Sequence, residues 1–284
     1  MNKRACEWTL RIAVAVTCAG VGWSLMRWSG PVFSLLFLDL GWSEVSAAHL
    51  ERGAAFALFA CALMVLIPAG LGGANMQAAD ANHTPVAPHA RGFNVAWFAA
   101  MFAGVWLLLA ALAASRVDTW APALVAPAHG ARYCAAFALA ALLLGRVRIA
   151  QGLLVAGAVA TFAAHGLEAL LLRAEFVDYL IGLGWRVSQG AAEGVLLAIG
   201  VTDLAAAALL LALFARRARR AAACLPAAVL LGWMAFWGFS TAAVRIVDMG
   251  WSNLPEAMIR VANGAVPLTL LLLWRRNPDK RDEP

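Results

Sequence analysis

The chain has 284 residues, 63% of them hydrophobic and 13% charged, with a mean hydropathy of +0.77. Charge approaches a quarter of the residues in soluble globular domains, so that class is excluded and a polytopic membrane protein is expected. The net charge of +6 is explained by orientation in a membrane rather than by nucleic-acid binding.

Eight apolar runs, each close to the ~20 residues a transmembrane helix needs, follow one another along the chain. Because hydrocarbon leaves no backbone group unpaired, helices are expected; the runs lack the period-two alternation of barrel strands. The first, 8–28, follows Lys3 and Arg4. No small-residue cleavage site follows it, whereas Arg27 and two Trp residues do, so a retained helix is expected rather than a signal peptide. A loop carrying Asp39, Gly41-Trp42 and Glu44 leads to Glu51, which opens the second run, 53–73. There the helix dipole favours a carboxylate. The third run, 94–115, closes on Arg116 and Asp118, with Trp120 beyond. The fourth, 128–145, is preceded by Pro122 and Pro127, contains Arg132 and ends at Arg146.

The fifth run, 149–172, holds His165 and Glu168 on one face and ends at Arg173. Glu175, Asp178 and Gly184-Trp185 lead to Glu193, which opens the sixth, 192–215. Asp203 lies near the middle of that run. The basic Arg216–Arg220 stretch suits a cytoplasmic loop beside anionic lipid. The seventh run, 222–243, leads to Arg245, Asp248 and Trp251. In the eighth, 256–274, Glu256 stands one turn before Arg260, followed by Asn263 and by Pro267, which frees a carbonyl.

The Trp, Arg, Asp and Glu landmarks recur in the same order in both halves. This predicts an all-α protein of two tandem four-helix units, 1–146 and 147–284, the second ending in a short charged cytoplasmic tail. Four crossings per unit leave both units in one orientation, related by a pseudo-two-fold along the membrane normal. The excess of Lys and Arg in alternate loops places both termini in the cytoplasm and the protein in the cell inner membrane. The five Cys form no CxxC, so neither a disulfide framework nor a dithiol motif is indicated.

Charge this deep in a membrane is costly unless paired or hydrated. Arg132, Arg245, Asp248, Arg260, Asn263, Glu51 and Glu193 are therefore candidate ligand-binding residues, against the alternative of interhelical ion pairs. Arg132 has no acidic neighbour one turn away, so its partner must come from another helix or from lipid. Asp203 must carry its proton or meet a donor such as Asn263 or an Arg. His165, Glu168 and Asp203 are candidates for a proton path, a metal site or a polar pocket for a quinone-like head group. One His and two carboxylates make a thin metal set, and no metal is expected.

These landmarks resemble the DoxX-like family of small four-helix membrane proteins. The resemblance rests on His165-Gly166 late in a first helix, Glu193-Gly194 opening the next, and Arg260 followed by Asn263-Gly264 in the last. The first half keeps Glu51 and Arg132 but has Gly22-Trp23 in place of His-Gly and lacks the Asn. The resemblance implies a four-helix bundle, here doubled, and association with membrane redox systems such as thiosulfate–quinone or thiol oxidoreductase complexes. No haem, flavin or iron–sulfur motif is visible, so electron chemistry would call for a bound quinone or a redox partner subunit. The leading expectation is a membrane component that binds a small lipophilic molecule or a partner at an outer-facing polar vestibule, without catalysis of its own. His165, Glu168 and Asp203 would handle protons there, and Arg132, Arg245 and Arg260 would hold an anionic or carbonyl group. The alternatives are a small-molecule or lipid transporter and a structural scaffold; membrane lipids are partners in every case, and the oligomeric state is open.

Overall fold

The computed structural model describes residues 3–68, 94–183, 187–217 and 224–274. The side chain of Asp248, residues Gly184-Trp185, the side chains of Arg216–Arg220 and the charged tail, 275–284, lie outside the described residues. The elements run α1 (Lys3–Arg27), α2 (Pro31–Ser34) continued by a π turn (Leu35–Asp39), α3 (Glu44–Met64), α4 (Val95–Val117), α5 (Pro122–Ala128), α6 (Gly130–Leu143), α7 (Val147–Leu170), α8 (Ala174–Gly182), α9 (Gln189–Arg217), α10 (Cys224–Met249), a 3-10 turn (Gly250–Asn253) and α11 (Leu254–Trp274). No strand occurs among the described residues.

Seven of these helices, α1, α3, α4, α7, α9, α10 and α11, are long and apolar enough to cross a membrane. The shortest of them have 21 residues, which spans about 31 Å at 1.5 Å per residue, enough for a hydrocarbon core of ~30 Å. Their outward faces carry large apolar side chains such as Phe56, Leu63, Val201, Val229 and Phe236, each more than half exposed. Such a surface suits lipid and not water. Inside, Ala dominates the core, so backbones approach closely. A Cβ on Gly20 would stand 2.7 Å from Cβ of Met258, which brings α1 directly against α11.

Two expected spans change. The second crossing helix begins at Glu44 rather than at 53 and ends at Met64, short of 73. Ser43 caps it, its Oγ accepting from the Ser46 N–H at 3.1 Å. The first turns are amphiphilic, and an apolar run alone does not mark them. Glu51 therefore lies inside α3 rather than opening it. The expected fourth span is divided into α5 and α6 at His129. Pro127 lacks an N–H and interrupts the ladder, and the chain re-enters a helix at Gly130. With 14 residues, α6 is about 21 Å long, short of a full crossing by itself. A buried N-terminal donor is met from another helix: the Ala131 N–H donates to Thr161 Oγ1 on α7 at 2.8 Å.

The helices share one continuous core and fall, by chain order, into two groups. In the first, α1 lies on α3, α3 on α4, α4 on α6 and α6 on α1. In the second, α7 lies on α9, α10 on α11 and α11 on α7, while α9 and α10 meet only lightly. The groups join where α1 packs on α11 and α6 on α7. Arg11, which the charge pattern placed near the inner surface, is fully buried. It donates to the Val65 carbonyl and, at 2.9 Å, to the Ile67 carbonyl, and so satisfies the end of α3; Glu7 pairs with it at 2.8 Å.

Candidate functional site

The light packing of α9 on α10 leaves a cavity of about 470 Å³ inside the second group. Its walls come from α7, α8, α9, α10 and α11 and are mostly apolar, including Phe162, Phe176, Leu196 and Ile199. Val195 of α9, which is exposed, and Ser240 of α10, which is half-buried, line it, so it opens sideways between those helices.

Five of the candidate residues meet here: His165, Asp203, Arg245, Arg260 and Asn263 all line the cavity. Arg245 and Arg260 lie toward one end of their helices, the end shared with α8. The Arg245 guanidinium sits 3.7 Å from the centroid of the Tyr179 ring on α8, a cation–π contact closing that end. Asp203 lies 14 positions into α9, about 21 Å from its start. The sequence pointed to Asn263 or an Arg as its partner; the Trp237 indole N–H donates to it instead. Asn263 is buried, and its Oδ1 has no hydrogen-bond partner.

Glu168 stands behind His165. It is buried, with one oxygen 3.1 Å from His165 Nδ1 and the other accepting from Arg173. A carboxylate accepts only, so Nδ1 of an uncharged His165 carries the proton and Nε2 is left as an acceptor. Arg173 also pairs with Asp118 at 3.3 Å and with Glu175 at 3.4 Å, and lies 5.4 Å from the Trp120 ring centroid. It thus ties the end of α4 to the junction of α7 and α8. Asp118 is held below the ordinary carboxylate value by the N–H of Ala121, then by that of Trp120 and by Arg173. Partial burial lowers Arg173, but Glu168, Glu175 and Asp118 outweigh it and raise its pKa.

Arg132 on α6 has no acidic residue on its own helix nearby and is drawn to Glu256 of α11, which also accepts from Arg260. Arg132, Arg245 and Arg260 repel one another across this junction, and Nε of Arg132 is buried without a partner.

Two candidates lie elsewhere. Glu51 is buried in the first group, where its Oε2 accepts from Gly30 N–H at 2.8 Å and its Oε1 from Phe33 N–H at 3.0 Å. It secures α2. Glu193 accepts from Gln189 Nε2 at 2.8 Å on its own helix, away from the cavity wall. Among the described residues, no three His, Cys, Asp or Glu side chains gather as a metal would require. Sequence reasoning missed Trp237 and Tyr179, since neither differs in pattern from a lipid-facing aromatic. Arg173 was visible as a helix end, but its reach to Asp118 was not. No family model, no curated protein and no solved structure matches the chain.

Proposed function

We propose that this protein is an inner-membrane component, resembling DoxX-like subunits of membrane redox systems, that binds a small lipophilic, quinone-like molecule in the cavity of its second helix group. The observation that carries this reading is the cavity itself. Its volume of about 470 Å³ falls in the ~300–1,000 Å³ range of small-molecule sites, and its few polar groups stand on apolar walls. The opening between α9 and α10 suits a ligand arriving from the bilayer. The residues fit a quinone-like head group: apolar walls such as Phe176 and Ile199 for a flat ring, donors at Arg245 and Arg260, acceptors at Asn263 and His165. A quinone would supply electron transfer when bound; the chain's own residues bind and orient it. A redox partner subunit would complete the pathway.

The proposal includes eight crossings, with α5 and α6 together making the fourth, and a tandem duplication with both termini cytoplasmic. The packing supports it, since α1 meets α11 as α7 meets α6, the relation expected of two units about a two-fold. The cavity's charged end then faces outward.

Binding tests this. In lipid nanodiscs a decyl-substituted benzoquinone should bind once per chain, and Ile199→Trp, which fills the cavity, should abolish saturable binding. Non-saturable uptake alone, equal in both proteins, refutes the reading.

A further inference from the structure

The deep wall of the cavity is built from hydrogen-bond acceptors. Asn263 Oδ1 is buried in the wall without a partner. The Asn263 main-chain carbonyl is a second acceptor there, whichever way the amide is turned. Pro267, four residues on in α11, has no N–H to offer it. That carbonyl faces Gly238, itself a wall of the cavity: a Cβ on Gly238 would lie 2.5 Å from the Asn263 oxygen. Asp203 adds a carboxyl group, only 5% exposed, to which the Trp237 N–H donates. His165, when uncharged, adds Nε2, because Glu168 engages Nδ1. A buried acceptor left unmet costs about 1–3 kcal/mol, so the deep wall favours an occupant that brings donors. A cationic donor is disfavoured, since Arg245 and Arg260 line the same cavity.

We infer that the site selects an uncharged hydroxyl-bearing head group, and so prefers the reduced, dihydroxy form of a ring to its dicarbonyl form. This rests on the proposed ligand-binding function and names the class of head group. Asn263 and Asp203 determine the preference. Both forms can accept from Arg245 and Arg260, but only the dihydroxy form can also donate to Asn263 and Asp203; the carbonyl form leaves those acceptors unmet, which is where discrimination arises.

The test is a matched pair of probes differing by two hydrogens, tetramethylhydroquinone and tetramethylbenzoquinone, titrated anaerobically against the intact protein in nanodiscs. The hydroquinone is expected to bind at least about tenfold tighter, equivalent to a shift of about 30 mV in the potential of the bound couple. Asp203→Asn, equal in size, replaces an acceptor oxygen with a donor and should bring the ratio toward unity. Asn263→Leu should weaken the hydroquinone and spare the benzoquinone. Equal affinities, tighter benzoquinone, or a preference unchanged in both variants overturns the inference while leaving the binding function in place. Saturable binding of neither probe, nor of the decyl-substituted benzoquinone, overturns both.

Discussion

The short helices α2 and α8 occupy comparable places, each following the first long helix of its group, yet they leave opposite interiors. α2 packs against both α3 and α4, and Glu51 accepts from the backbone of Gly30 and Phe33. The pocket beside it is about 120 Å³. α8 packs against α9 and reaches α10 through Arg245 over Tyr179, and the cavity beside it is about 470 Å³. The carboxylates explain the difference. In the first group, one from a neighbouring helix grips the short segment's own backbone and draws it into the bundle. In the second, Glu193 bonds along its own helix, and Glu168 is engaged by His165 and Arg173. Where the carboxylate is committed decides whether a bundle of similar apolar helices is plugged or open.

Breaking the tie at α8 should have the largest effect. Arg173→Ala leaves Glu168 buried without its cation, and such a loss costs about 3–5 kcal/mol for a well-buried charge. The partial exposure of Arg173 places the expected loss at the lower end, about 3 kcal/mol, read as a fall in the unfolding midpoint in detergent. Arg173→Lys should recover part of it. An unchanged midpoint would show that Glu168 is held by other means.

Opening the first group should come next. Glu51→Ala strands the Gly30 and Phe33 N–H groups, at about 2–3 kcal/mol in total. If the carboxylate is what plugs this bundle, hydrogen exchange at residues 30–39 should rise while exchange in α8 stays constant. Exchange that stays low would mean α2 is held by its apolar contacts alone. Gly238→Ala sets a methyl against the Asn263 backbone and should cost about 2 kcal/mol by forcing α10 from α11. It should also disturb the cavity, whereas Gly53→Ala, which meets no neighbour, should not.

A smaller effect depends on pH. The folded protein holds Asp118 below its ordinary value of 3.8, so its contribution is complete above about pH 5 and is lost as pH falls through the lower folded value. Asp118→Asn should remove that part of the acid limb in unfolding midpoints measured from pH 6 to pH 3; an unaltered limb would assign the acid sensitivity elsewhere. Least affected should be Tyr179→Leu, at about 0.5–1 kcal/mol for a partly exposed cation–π contact. Its signature is faster ligand release rather than instability.

Much of the fold was legible because apolar length is a one-dimensional property. Runs long enough for a bilayer became the seven long helices, with ends displaced where an amphiphilic turn such as Glu44–Arg52 extends a helix beyond its apolar run, and where α3 stops at Met64, short of 73. The Pro residues near 122–127 marked the irregular fourth span, though not its division at His129. The sequence by itself determined that the chain is helical and apolar on its outer faces, and that its deep charges are few. It also supplied His165, Asp203, Arg245, Arg260 and Asn263 as residues in need of an explanation. Only the tertiary structure decided that these five share one cavity while Glu51 and Glu193 do not. That outcome depends on which helices touch: α9 stands off α10, and α2 is drawn in by a carboxylate from α3. Contacts between helices far apart in the chain follow from close approach at residues such as Gly20 and Gly238, and no local pattern of hydrophobicity encodes them.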